Sequence, residues 1–559
     1  MSGEEELPVL VVGAGVSGLS AARLLRSKGK EVVVLEAGDR VGGRTFTVRD
    51  EGVVSGGVGT RGSYGWADMG ASYVGPTQDH VLRLCRELGL KTYPCKADDD
   101  SLHYSKGKRC RYQSTWPKFW WRNPLAGWDV FYVTKKMDEM AATIPIREPW
   151  KARNAKEWDQ MTVEEFLQKT CWTKDAMEFL QALCCLNNTA ESYQMSLLFY
   201  LWYMRQGDGL LRLWYIDGGA QERKIVGGTQ QISLRIAESL GDRVKLNDPV
   251  VRITYSGDSD GSVTINTLSG KEYQGSHVIL AMPPCVQMKI HFSPPLPPLR
   301  QQLLQRIPMG TVVKCLVFYK HAFWVDKGLN GMVTCHDDFE VVGNAAEDIK
   351  DAGLPGLLPG IICFIYSKQA LELYQLDYDA RRDAVCASLA RMYGCPEALK
   401  PAFYLDKIWA EEQYIGGCYT SYYPPGVLSH YGEALRQPLP LAPSLQARIF
   451  FAGTETASVW TGYLSGAVES GERAAREVLH AEGLISQDEV WVTEPENEDM
   501  PHVSLERSAV HRYLPPIGPT LLVASLAVSF FLLRKASNRA IALSHIRDFY
   551  HHRFMAMKS

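Results

Sequence analysis

Nowhere in the 559-residue sequence does a lysine-rich run interleave with aromatics, and 60 basic residues stand against 63 acidic ones for a net charge of −3. No whole-molecule field therefore points to nucleic acid. Internal repeats and low-complexity tracts are missing as well. The 13 cysteines show no paired metal-ligand spacing, and Cys184–Cys185 is their only close pair. No metal is expected, and such usage suits a reducing compartment better than a disulfide framework. Charged residues make up 22% of the chain against 46% hydrophobic ones. So apolar a chain can offset its ordering entropy, which excludes disorder as the dominant state. The opening residues carry Glu4, Glu5 and Glu6, and they have neither the positive start and apolar stretch of a secretory signal nor the arginines of a mitochondrial presequence. At about 150 residues per domain the length accommodates two or three domains.

What is there begins with an apolar strand, Val9 to Val12, followed by Gly13-Ala14-Gly15-Val16-Ser17-Gly18 and a helical pattern through Leu19, Ala22, Leu24 and Leu25. A second strand, EVVVL, ends at Glu36. Gly13 permits the tight turn, Gly15 lets backbone approach a pyrophosphate, and Gly18 allows close helix packing. The helix N-terminus offers unpaired amides to the phosphates, and Glu36 is placed to accept from ribose hydroxyls. A lone glycine motif is weak; one with both strands and the acid in place is strong.

Asp39-Arg40-Val41-Gly42-Gly43-Arg44-Thr45 follows where a simple NAD domain would continue into another helix. Its glycines allow close backbone approach, and Arg44 reads as a fixed cation for a diphosphate. This segment resembles the second dinucleotide signature of flavin-dependent amine oxidases, which favours FAD over NAD. Farther on come AEEQYIGGCYTSYYPP and FFAGTETASVWTGYLSGAVESGERAARE, between Trp409 and Arg476. With Gly70–Gln78 (GASYVGPTQ), Gln221–Gly228 (QERKIVGG) and the segment around Lys314, they are similar to the flavin-containing monoamine oxidases over nearly the whole chain.

That resemblance implies an α/β fold: a discontinuous Rossmann-like FAD-binding domain (1–92, 226–300 and 409–481) and an α+β substrate domain (93–225 and 301–408). It implies oxidative deamination of primary aromatic monoamines to aldehyde, ammonia and hydrogen peroxide, with dioxygen as co-substrate, and it suggests a homodimer. Cys418 matches the cysteine that bonds to the flavin 8α-methyl group; Gly416 and Gly417 would let backbone lie against the isoalloxazine edge, and the thiolate is the reactive form of cysteine. Gly453 and Thr454, in the later run, are assigned to the cofactor together with Thr45. Tyr419 and Tyr463 match a pair that sandwiches the substrate amine, where aromatic faces attract an alkylammonium. The helix opened by Gly462 would aim its N-terminus at the flavin pyrimidine carbonyl. Leu186, Gln221 and Phe364 would line the substrate pocket, with Trp214 near its entrance. Polyamine and L-amino-acid oxidases are the rival enzymes, the first wanting acids in the pocket and the second an arginine; an inactive membrane-anchored flavoprotein is the rival outside enzymes.

Lys314 lies in TVVKCLVFYK, a β-prone run whose alternation puts Val312, Lys314, Leu316 and Phe318 on one side. Such a lysine is either on an edge strand, snorkelling outward, or buried for a purpose. The residues by themselves favour snorkelling; the resemblance, in which the matching lysine holds a water against flavin N5, favours burial, with desolvation lowering its pKa. Asn187-Asn188-Thr189 fits a glycan acceptor formally, and is dismissed for want of a secretory route.

Glu51 to Trp66 is longer than the family leads one to expect, and its six glycines read as a flexible loop; the tail beyond Ala540 is also longer than usual for the family. Leu514 to Leu533 is a twenty-residue stretch free of charge, enough for a membrane-spanning helix. An acidic, proline-bearing segment, 482–513, precedes it as a linker, and a basic tail, 534–559, follows. The expectation is a tail-anchored protein of the mitochondrial outer membrane whose catalytic body faces the cytosol.

Overall fold

Valine-rich runs too short for helices form the central sheet. Five parallel strands lie in the spatial order Val244–Lys245, Val32–Leu35, Val9–Val12, His277–Leu280 and Ile449–Phe451. Parallel strands need crossovers and cover on both faces, and Val9–Val12 and His277–Leu280 are buried throughout. The sheet thus gathers strands from three distant parts of the chain. The computed structural model describes residues 6–50, 62–95, 99–113, 123–255, 262–335, 340–348, 356–439, 447–503 and 505.

Two helices cover one face. Gly471, in Leu464–Ala481, lies so close to Val16–Ser27 that a Cβ on it would come 2.0 Å from the Ser17 carbonyl oxygen. The Ser17 and Ser470 hydroxyls meet there at 3.1 Å. Small residues let these two helices, 450 positions apart in sequence, share one contact.

A seven-stranded sheet forms the second layer, in the order Phe403–Ile408, Val312–Phe318, Gly360–Tyr366, Asn344–Glu347, Leu329–Cys335, Asp100–Ser105 and Lys108–Tyr112. Alternation divides its faces. Val313, Cys315, Val317, Cys363 and Ile365 enter a core with Val385 and Leu389. Lys314, Leu316, Phe318, Ile362 and Phe364 look the other way. A third body is helical, built from Lys174–Asn188, Leu197–Gln206 and their neighbours around Trp202 and Phe199. A mixed sheet of Glu272–Gly275, Val263–Thr267, Val250–Tyr255 and His291–Ser293 completes the fold.

Two expectations change here. The segment expected to be a linker is packed against the body through Val503. Trp491 takes the guanidinium of Arg147 4.4 Å from its ring centroid and that of Arg473 at 5.5 Å. Glu494 pairs with Arg83 at 2.9 Å and His80 at 3.3 Å, and Arg212 donates to the Val503 carbonyl at 2.7 Å. Its acids find cations waiting on the body, which composition could not show. The end of the glycine-rich stretch is likewise packed, since Tyr64 is buried and stacks on Phe318 at 4.9 Å; positions 51–61 lie outside the described residues. No helix among the described residues is long and apolar enough to cross a membrane, and the expected span, 514–533, lies outside them.

Candidate active site

One cavity of about 400 Å³ is bordered by the carboxyl ends of the parallel strands, the Lys314 face of the seven-stranded sheet and the helical body. Ligands of open α/β sheets settle at those strand ends.

The three glycines of the first loop differ in what surrounds them. Gly13 turns the chain with φ +104°, and a Cβ there would lie 2.9 Å from the Ala281 carbonyl oxygen. Gly15 has nothing within 4 Å of its Cβ position and borders the cavity. Gly18 sits against the loop itself, 2.0 Å from the Gly13 carbonyl oxygen at its Cβ position. Gly15 caps Val16–Ser27 with no side-chain acceptor, so the first amides of that helix remain available to an anion. Glu36 accepts from the amides of Ala14 (2.7 Å) and Gly38 (2.8 Å), and burial holds its carboxyl above the usual range.

The second motif laps onto the first. The Gly42 amide donates to Ala14 O at 2.9 Å, and the Thr45 hydroxyl closes the turn on Gly42 O at 2.9 Å. Arg44 differs from its reading as a cation free for a diphosphate. Its guanidinium donates to both carboxylate oxygens of Glu455, at 2.6 and 3.0 Å, and to the Tyr419 carbonyl at 2.9 Å. A bidentate ion pair is the strong form of this contact. Arg44 thereby holds the Tyr419 backbone, and its charge is already matched.

Cys418 is buried on the cavity wall, where burial pushes its thiol up to about 12 while the charge of Arg44 opposes that rise. Gly417 (φ +141°) and Gly416 (φ +80°) are also pressed by other parts of the protein. A Cβ on Gly417 would meet Gly310 O at 2.4 Å, and one on Gly416 would lie 3.3 Å from the sulfur of Cys285. They admit the neighbouring protein chain beside Cys418. Gly453 (φ +97°) donates its amide to the Ser17 hydroxyl at 2.9 Å. The Thr454 hydroxyl donates to the Tyr463 carbonyl at 3.0 Å and accepts from the Gly462 amide at 2.8 Å. Leu464–Ala481, capped by Tyr463 without a side-chain acceptor, presents a second helix N-terminus at the cavity.

The other half of the cavity is organised by a row across the sheet. Lys314 pairs with Phe364, Phe364 with Asn344, Asn344 with Thr334, and Thr334 with His103 on successive strands. The snorkelling reading of Lys314 falls with that sheet order, because its strand is flanked on both sides and the residue is 3% exposed. Its ammonium donates to Gly70 O at 2.8 Å and the Ser72 hydroxyl at 2.6 Å.

Tyr419 and Tyr463 both line this half. Burial pushes the Tyr419 phenol well above its ordinary value, and nearby Tyr366 adds to the rise. The Tyr463 ring lies 6.2 Å from that of Tyr203 between centroids, and burial pushes its phenol up to about 12. Phe364 stands edge-on to Tyr419 with centroids 6.3 Å apart. Leu186 ends the helix Lys174–Asn188 at the cavity, and Trp214 ends Leu210–Trp214 there, 6.2 Å from Phe179 between centroids. Gln221, unremarkable as a surface residue by itself, borders the cavity with its amide donating to Leu213 O at 3.0 Å.

Sequence reasoning missed Tyr203, Tyr366, Asn344 and Glu455. Tyr366 was within reach, since it lies two residues from Phe364 on the same strand face. The partners of Glu455 and Tyr203 are set by packing between distant segments, for which the sequence carries no local signal.

The donor set fits a flavin dinucleotide: an open glycine cradle at Gly15, two uncapped helix N-termini, a ribose-side carboxylate and a cysteine on one wall. Comparison with known proteins agrees. Residues 16–479 match the family model described as flavin containing amine oxidoreductase. The chain is 43% identical over 525 residues to amine oxidase [flavin-containing] A of Equus caballus, covering 94% of this chain and 95% of that protein. It is 44% identical over 529 residues to amine oxidase [flavin-containing] B of Mus musculus, covering 93% and 97%. Among solved structures, cyclohexylamine oxidase from Brevibacterium oxydans superimposes with a TM-score of 0.76 at 30% identity, over 86% of this chain and 99% of that one. Wild-type putrescine oxidase bound to putrescine does so with a TM-score of 0.76 at 28% identity, over 85% and 99%.

Proposed function

The chain belongs to the flavin-containing amine oxidoreductases, and on that premise we propose that it oxidatively deaminates primary aromatic monoamines, with FAD attached through Cys418 and dioxygen as the final acceptor. The observation that carries this reading is one cavity that joins a dinucleotide cradle to Cys418, Lys314, Tyr419 and Tyr463.

A bound flavin would supply two-electron oxidation at the amine's α C–H bond, with dioxygen as the final acceptor; the products would be hydrogen peroxide and an imine that hydrolyses to aldehyde and ammonia. The protein's own residues bind and orient. Gly13, Gly15 and Gly18 with the Val16–Ser27 amides would hold the diphosphate, and Glu36 the ribose hydroxyls. Thr45, Gly453 and Thr454 border the same cavity and would contact the cofactor. Tyr419 and Tyr463 offer aromatic faces that attract the entering ammonium and align the neutral amine. Lys314 is held at Gly70 and Ser72 and keeps its charge on the cavity wall. The N-terminus of Leu464–Ala481 favours negative charge nearby. Among the described residues, no side chain is assigned as a base for the C–H step.

The lining also speaks on the rivals. Among the described residues, its only arginines, Arg40 and Arg44, belong to the dinucleotide half, leaving none for an amino-acid carboxylate. Glu347 also borders the cavity, so the diamine in the panel below decides between a monoamine and a polyamine. Attachment by residues 514–533 to the mitochondrial outer membrane with a cytosolic body, the division into domains at the boundaries above, and a homodimeric state are further parts of this proposal.

Peroxide release from a panel of aromatic monoamines, a diamine and an amino acid tests the reaction, with acid precipitation of the same sample testing the linkage. The wild-type pellet should stay yellow and that of Cys418→Ala should lose its colour. No peroxide from any amine would end the enzymatic reading.

A further inference from the structure

The sequon-like triplet Asn187-Asn188-Thr189 is buried, with exposures of 4%, 0% and 1%, and so is closed to a glycan. It forms the C-terminal turn of Lys174–Asn188, and Thr189 takes a left-handed conformation there, φ 54°. Its hydroxyl oxygen lies 2.6 Å from both the Cys418 and the Asn188 carbonyl oxygens, which share its proton, and accepts from the Tyr419 amide at 3.1 Å. The Cys418 amide donates to Gly310 O at 3.0 Å, and Arg44 holds the Tyr419 carbonyl. Both amides of the Cys418–Tyr419 pair and the Tyr419 carbonyl are therefore engaged, and the Cys418 carbonyl shares the Thr189 proton with Asn188. Gly310 leaves no slack, since a Cβ on it would fall 2.0 Å from the Thr189 hydroxyl oxygen. The same turn reaches the other cage residue: the Asn187 carbonyl accepts from Tyr203 at 3.3 Å, and the Tyr203 ring lies 6.2 Å from that of Tyr463 between centroids.

We propose that Thr189 is a positioning residue whose hydroxyl sets the direction of the Cys418 sulfur toward the flavin and the placing of the Tyr419 ring. The inference rests on Cys418 being the flavin-bearing residue. Attachment forms one C–S bond at the 8α carbon and breaks the thiol S–H bond and one methyl C–H bond. Two electrons pass to the flavin, and dioxygen removes them as hydrogen peroxide. A sulfur displaced by about 1 Å loses much of the advantage of a preset approach, so covalent capture should suffer before flavin binding does.

The test compares wild type, Thr189→Val and Thr189→Ser, each loaded with FAD, by the ratio of acid-precipitable to total bound flavin. Thr189→Val should lower that ratio at least fivefold while total flavin stays near wild type, and Thr189→Ser should restore most of it. If Thr189→Val does not fold, Thr189→Ala removes the same hydroxyl with less bulk and carries the same expectation. An unchanged ratio in the hydroxyl-free variant, or no recovery with serine, overturns the proposal. A wild-type pellet without colour, or a coloured pellet from Cys418→Ala, would instead overturn the assignment of the linkage.

Discussion

Lys314 and Phe364 stand opposite each other on adjacent antiparallel strands, and the lysine ammonium lies 5.4 Å from the phenyl centroid. A cation over a ring face is held in place as well as charged, and the carbonyl of Gly70 and hydroxyl of Ser72 fix it from the other side. The ammonium is thus a rigid fixture of the cavity wall.

Replacing it with a chain of similar length separates charge from packing. Lys314→Met should retain flavin and release peroxide at least tenfold more slowly. It should also lose about 1–3 kcal/mol of stability, because two buried acceptors lose their donor. Steady-state peroxide assays and thermal unfolding check the two effects.

The two cage tyrosines should act on turnover and leave cofactor content alone. Tyr419→Ala and Tyr463→Ala each remove an aromatic face worth about 1–2 kcal/mol to a desolvated cation, so kcat/KM for an aromatic monoamine should fall about tenfold in each. Flavin absorbance per mole of protein should not change. Wild-type kinetics in both variants would overturn the cage assignment.

Glu455 makes stability depend on acid. Burial opposes its charge, yet the charge and hydrogen bonds of Arg44 prevail and hold its carboxyl below the ordinary value of 4.5. A carboxyl depressed in the folded state stabilises above its unfolded pKa, and that contribution is lost as pH falls through the folded one. Glu455→Gln should therefore cost about 3 kcal/mol at pH 7, the cost of breaking a buried ion pair, and the difference from wild type should shrink below pH 4.5. Denaturant unfolding at several pH values tests it.

Truncation before Leu514 should leave the body intact and soluble, because the segment up to Val503 is already packed on it. Full-length protein should sediment with membranes and the truncated form should stay in the supernatant. Co-sedimentation of both forms would place the attachment elsewhere.

The sequence conveyed the dinucleotide half well, because spacing alone locates a strand, a glycine turn, a helix and an acid. It conveyed Lys314 poorly: alternation gave its face, while the order of strands that makes the position interior depends on pairing with residues 360–366 and 403–408. Arg44 shows the same limit. Its motif was legible, but its partner Glu455 lies 411 residues away, and that partner turns a ligand cation into a brace for Tyr419. Thr189 was legible only as a misleading triplet, since its role follows from a left-handed turn and a neighbour at position 310.

Because the turn at Asn187–Thr189 touches one phenol-bearing residue through its backbone and the other through Tyr203, any breathing of that helix end carries both rings along. A change at that one turn should therefore be felt on both sides of the slot at once.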